Sequence, residues 1–186
     1  QVGDFGFYPK RMHLFYDIKP RIPLYAIDGN HEDFSTFVGL TEPTEVGKNI
    51  FYVPRGTVLE LDGRTVGFMG GAASVDKEYR IQYGRHWDGR ENISPIDIAK
   101  WNKSTKDKKI DIMVTHCPPQ SVIQKHFDPK GLAFFGLTVT WRDTNADIIE
   151  KLWTNAGFPA LFCGHMHRSV VEGPARILNI NELFCL

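Results

Sequence analysis

Short apolar runs ending in polar clusters organise this chain. Leu24 to Ile27 reads as a buried strand and stops at Asp28-Gly29-Asn30-His31-Glu32. Ile110 to Val114 is a second such run, followed by His116, and Pro159 to Cys163 is a third, followed by Gly164-His165-Met166-His167. Between them the periodicity changes. Ile50 to Val53, Val58 to Leu61 and Thr65 to Met69 read as strands, and Asp62-Gly63 between the last two is a strong hairpin signal. Helical spacing is expected over Pro9 to Asp17, His31 to Val38, Ser121 to Phe127 and Asn145 to Asn155, with Gly157 as the stop of the last. Ser94-Pro95-Ile96-Asp97 opens another helix, to about Lys103, with Ser as N-cap and Pro at the first helical position. Ser169 to Glu172 and Ala175 to Ile180 are expected as closing strands, and Gly70 to Ile93 as one long polar loop. Strands alternating with helices predict an α/β fold.

The polar clusters carry the chemistry. Gly3-Asp4 supplies a carboxylate, Asn30 an amide oxygen, and His116, His165 and His167 imidazoles. A mixed nitrogen and oxygen set delivered from strand ends suits a borderline divalent metal such as Mn, Fe or Zn better than Ca or a thiolate-bound ion. His13, His86 and His126 stand outside the pattern and read as ordinary surface or core histidines.

Composition narrows the frame. At 186 residues, with 42% hydrophobic and 24% charged side chains, the chain suits one globular domain over 1–186. Twenty-two basic residues balance twenty-two acidic ones. That neutrality offers no basic groove for long nucleic acid and no attraction to an acidic membrane. No apolar run approaches ~18 residues, the length of a membrane span. Three cysteines, Cys117, Cys163 and Cys185, make no paired spacing, which fits a reducing, cytoplasmic setting. Cys117, beside His116 and before Pro118-Pro119, reads as a packed bystander rather than a nucleophile.

Gly3-Asp4, Gly29-Asn30-His31-Glu32, Thr115-His116 and Gly164-His165-Met166-His167, in this order and each after an expected strand, resemble the calcineurin-like metallophosphoesterases over nearly the whole chain. Gly70-Gly71-Ala72, Ser74, Asp76, Arg80 and Trp87 resemble a narrower group of phage and bacterial members. The resemblance implies two packed mixed β-sheets flanked by helices and a two-metal site at the strand ends. It implies that Asp4 bridges the metals, that Asn30, His116 and His165 complete one site, and that His167 binds the other. His31 would be the general acid, since an imidazole can deliver a proton near neutral pH. Two cations ~3.5–4 Å apart would clamp the attacking and leaving oxygens and turn bound water into hydroxide. Arg80 or Arg90 would hold a phosphate oxygen, and Trp87 would stack on a base, although salt bridges and an aromatic anchor holding the loop explain the same residues. Specificity is expected from Gly70 to Ile93.

Two departures qualify the resemblance. No Asp in the chain is followed two positions later by His, so the Asp-x-His of the family's other metal site is lacking. Gln1-Val2-Gly3-Asp4 reads as the tail of a strand, and the expectation is that a preceding strand carries that motif. Phe7 stands where protein-phosphatase members carry the Asp that orients the acid histidine, which argues against a protein phosphatase and leaves Asp28 or Glu32 as neighbours of His31. The expected activity is hydrolysis of a phosphomonoester or phosphodiester of a small molecule or nucleotide. A metal-binding scaffold without turnover, or a nuclease, are the alternatives.

Overall fold

The computed structural model describes residues 1–6 and 20–184. The helix expected over Pro9 to Asp17 lies outside the described residues. Among the described residues, nine strands fall into two sheets. The smaller contains β1 (Leu24–Ala26), β2 (Thr44–Gly47) and β3 (Ile50–Tyr52), in the order β1-β3-β2. The larger contains β4 (Thr57–Leu61), β5 (Arg64–Met69), β6 (Ile112–Thr115), β7 (Ala160–Cys163), β8 (Val170–Glu172) and β9 (Ala175–Ile177), in the order β4-β5-β6-β7-β9-β8. The strands β5, β6, β7 and β9 are mutually parallel, and β4 and β8 add antiparallel edges. The fold is thus α/β with two mixed sheets flanked by helices.

Period-two alternation explains the layers. Val66 and Phe68 of β5, Ile112 of β6 and Phe162 of β7 lie on one face with Ile27 and Val53. Their neighbours Met69, Met113, Leu161 and Cys163 point the other way, into a core built with Trp101, Ile149, Leu152 and Trp153. Both faces are apolar, as parallel strands covered on both sides require. The helices α2 (Pro95–Thr105), α3 (Gln120–His126) and α4 (Thr144–Asn155) cover the second face, while the shorter α1 (Lys77–Gln82) sits in the segment after β5. Ser94 and Asp97 close a reciprocal capping box at the start of α2.

Most expected elements form, with shifted ends. Asp62 and Gly63 take φ of 48° and 72°, the left-handed pair of a type I′ turn, and join β4 to β5. The helix expected over His31 to Val38 is only a 3-10 turn, Phe34–Phe37, capped by the Asp33 side chain. The expected loop from Gly70 to Ile93 contains α1 and a 3-10 turn at Gly89–Glu91. Strand β2 and a 3-10 turn at Pro129–Phe135 were not legible. Among the described residues no helix is long and apolar enough to cross a membrane.

Candidate metal centre

Because β5, β6 and β7 run parallel, their carboxyl ends open at one edge, and the loops leaving β6 and β7 meet there. The Gly164 N–H donates to the His116 carbonyl at 3.1 Å, tying the two loops together. The loop after β1 brings Asn30, and the N-terminal segment brings Asp4. Gln1 reaches that segment's place by pairing with β1: its ammonium donates to the Tyr25 carbonyl at 2.8 Å.

Four side chains converge. The Asn30 carbonyl oxygen lies 3.1 Å from His116 Nε2 and 3.1 Å from His165 Nδ1. His116 Nε2 is also 3.5 Å from Asp4 Oδ2. Each group is aimed by a partner behind it. His116 Nδ1 is 2.6 Å from the Val2 carbonyl, which accepts only, so Nδ1 carries the hydrogen and Nε2 faces the cluster. Asp4 Oδ1 accepts the His31 backbone N–H at 3.0 Å, which leaves Oδ2 for the centre. Asn30 Nδ2 donates to Ser74 Oγ at 3.0 Å, so the amide presents its oxygen to the imidazoles.

The Ser74 contact belongs to a buried network that the sequence did not reveal. Ser74 Oγ donates to Glu91 Oε2 at 2.6 Å and accepts from Arg80 Nη1 at 3.0 Å, while Arg80 also donates to the Asn30 carbonyl at 3.4 Å. Ser74 and Arg80 stand among the residues of the narrower resemblance, whereas Glu91, seventeen positions beyond Ser74, belongs to no motif.

Backbone geometry marks the same residues. Asp4, His165 and His167 have φ of 54°, 67° and 48°. Non-glycine residues rarely enter this region, and such strain clusters at functional sites. Two glycines permit the close approach: a Cβ on Gly3 would overlap the His116 ring, and one on Gly29 the Asp4 carboxylate.

The electrostatics fit a cation. Burial alone would raise the Asp4 carboxyl, but the imidazole of His116 and the hydrogen bonds outweigh it and hold Asp4 well below the usual carboxylate range. Burial opposes charge on His116, yet Asp4 and the Val2 carbonyl raise it above the ordinary imidazole value. His165 is pushed down to about 3, first by burial and then by repulsion from His116, and so stays neutral. Asp4 thus favours positive charge at the His116 position. A divalent cation answers the same demand with more charge, so the donor set of one carboxylate, one amide oxygen and two imidazoles fits a borderline metal. Counting His, Cys, Asp and Glu alone, the described residues contain no group of three or more placed to share an ion, so Asp4, His116 and His165 would have to close in further around a cation.

The other sequence candidates divide. His31 lines a cavity of about 700 Å³ beside Asp4, Asn30 and His165. His167 lines the same cavity but is exposed at its rim, outside the four-residue convergence. Arg80, Trp87 and Arg90 do not line this cavity. Arg80 is buried beneath Asn30, Arg90 is paired with Asp88 at 2.5 Å, and the Lys77 ammonium lies 4.3 Å from the Trp87 ring centre. These residues hold their own loop. Most of the wall is α3, the turn at Pro129–Phe135 and the segment to Asp143, and of the stretch 70–93 only Val75 and Asp76 reach it. Asp28 is bound by the Arg55 guanidinium at 2.8 Å and by the Tyr52 hydroxyl at 3.1 Å, and Glu32 accepts the Phe5 N–H at 2.7 Å.

Among known proteins, the family model for calcineurin-like phosphoesterases matches residues 2–169. No curated protein matches the chain.

Proposed function

The chain belongs to the calcineurin-like phosphoesterase family, and on that premise we propose that it is a metal-dependent phosphoric ester hydrolase whose centre is Asp4, Asn30, His116 and His165. The observation that carries the reading is the Asn30 oxygen 3.1 Å from both imidazoles, with Asp4 on the remaining side. A divalent cation held there supplies neutralisation of phosphoryl oxygens and a bound water acidic enough to attack near neutral pH. The ligands would be Mn, Fe or Zn ions, two of them where His167 and further groups complete a second position.

The chain's own residues supply orientation and proton transfer. Val2, Ser74 and the His31 N–H fix the three groups they bond, so little rearrangement accompanies binding. His31 stands at the cavity and delivers a proton to the leaving alkoxide. A phosphorylated small molecule or nucleotide is the substrate class that fits a cavity of this size.

The test combines metal content with hydrolysis of mono- and bis-p-nitrophenyl phosphate. The protein should take up Mn, Fe or Zn, and His165→Ala should abolish both uptake and turnover. His31→Ala should keep the metal and lose rate chiefly on esters with poor leaving groups. A folded protein that takes up none of the three metals ends this reading. A second reading is a metal-binding module of the same fold without turnover. Metal uptake without hydrolysis of either ester selects it.

A further inference from the structure

The cavity beside the centre has a wall that the proposed chemistry does not use. Phe127, Leu132, Phe135 and Trp141 give it apolar and aromatic surface. Of these only Phe127 packs against a core cluster, and Phe135 remains 44% exposed. Rings held away from the core beside a polar centre call for an apolar ligand face.

Polar groups stand at the margin of the same wall. Gln120 and Gln124 are one turn apart on α3, and both line the cavity. Asp76 lines it too, and its Oδ1 is buried with no hydrogen-bond partner among the described residues. Buried acceptors without a donor are uncommon in folded proteins. A ligand N–H or O–H satisfies this one once the Asp76 carboxylate turns toward the cavity, since this oxygen is covered as it stands. An alkyl chain would use the rings and waste the amides and Asp76. A bare sugar phosphate would leave the rings uncovered.

A planar heteroaromatic group with hydrogen-bonding edges uses both. We infer that the cavity binds a nucleoside, its base stacked on the Trp141 and Phe127 wall and its polar edge turned to Asp76 and the glutamines. The substrate is then a nucleotide. Water oxygen joins phosphorus, the ester P–O bond to the ribose breaks, and the released alkoxide takes a proton from His31. The hydrolytic step rests on the phosphoesterase reading; the binding of the nucleoside does not.

The experiment separates the two. Adenosine is titrated into the protein with and without Mn while the tryptophan indole signals are followed by NMR, with the Trp141 signal assigned through Trp141→Phe. The remaining indole signals report that the variant is folded. Hydrolysis of adenosine 5′-phosphate is then compared with that of ribose 5-phosphate, which has the same leaving alkoxide and no base. Adenosine should move the Trp141 signal in either metal state, and kcat/KM for the nucleotide should exceed that for the sugar phosphate by about tenfold or more. Trp141→Ala should bring that ratio toward one. A Trp141 signal unmoved by millimolar adenosine overturns the inference, even if both esters are hydrolysed. Equal kcat/KM for the two esters overturns it as well. A Trp141 shift without hydrolysis of either ester supports the nucleoside site while removing the phosphoesterase reading.

Discussion

The Ser74 hydroxyl accepts the Asn30 side-chain N–H at 3.0 Å and decides which end of that amide faces the histidines. Ser74 can only accept here, because its own hydrogen is given to Glu91 at 2.6 Å. Ser74→Ala therefore removes the partner that fixes Asn30. Outer partners of metal ligands are typically worth about 10–100-fold in metal affinity. Calorimetric titration with Mn should show a loss of that size, with Asn30→Ala losing more. An unchanged affinity in Ser74→Ala would mean that the amide is fixed elsewhere.

Arg55 and Asp28 form a buried pair beneath the same loop. The guanidinium is 8% exposed and also serves the carbonyls of Arg90, Glu91 and Asn92. Arg55→Met would leave the Asp28 carboxylate buried without its cation, at a cost of about 3–5 kcal/mol. Urea unfolding should show that loss, and the double variant Arg55→Met with Asp28→Asn should recover part of it. A double variant no more stable than the single one would place the cost in the three carbonyls instead.

The strand ends were legible because two simple signals coincide there. In Ile112 to Thr115 and Ala160 to Cys163 an apolar run marks a strand covered on both faces, and a histidine follows within two residues. The hairpin at Asp62-Gly63 was legible because only a pair tolerant of positive φ closes so short a turn. What escaped depends on tertiary contacts. Ser74, Glu91 and Arg80 meet only after the segment behind β5 folds under Asn30, and no periodicity encodes that meeting. Leu132, Phe135 and Trp141 carry no motif, since their use depends on the cavity they border. Arg80 and Arg90 seemed suited to phosphate because an arginine's charge is visible in sequence, whereas its burial or its local carboxylate partner is not.

Cys117 adjoins the centre in sequence and is closed off from it chemically. Burial first, then the nearby Asp143 carboxylate, push its thiol well above the ordinary value, and the thiol donates to Asp143 Oδ2 at 3.4 Å. Burial also raises Cys163. An ordinary thiol gains reactivity as pH rises through its pKa. These two should not. Iodoacetamide labelling at pH 9, followed by peptide mass spectrometry, should leave Cys117 and Cys163 unmodified in the native protein and modify both in urea. Native labelling of Cys117 would show that the β6 end opens to solvent.

Gly29 offers the sharpest separation of fold from site. A side chain there meets the Asp4 carboxylate, which carries the hydrogen bond from the His31 N–H and faces His116. Gly29→Ala pushes on the Asp4 backbone N as well as on its carboxylate and so displaces the N-terminal segment at Asp4, while the three apolar clusters do not include residue 29. The displaced carboxylate leaves the Asn30 oxygen and two imidazoles without their anionic partner. Metal affinity should fall by about 100-fold or more, approaching that of Asp4→Ala, while circular dichroism and the urea midpoint of the metal-free protein change little. The low-lying Asp4 carboxyl gives a second readout, since its charge is what raises His116. In the metal-free variant the His116 imidazole, followed by NMR, should titrate at lower pH than in the parent. If metal affinity and the His116 titration both match the parent, Asp4 does not face the centre in solution.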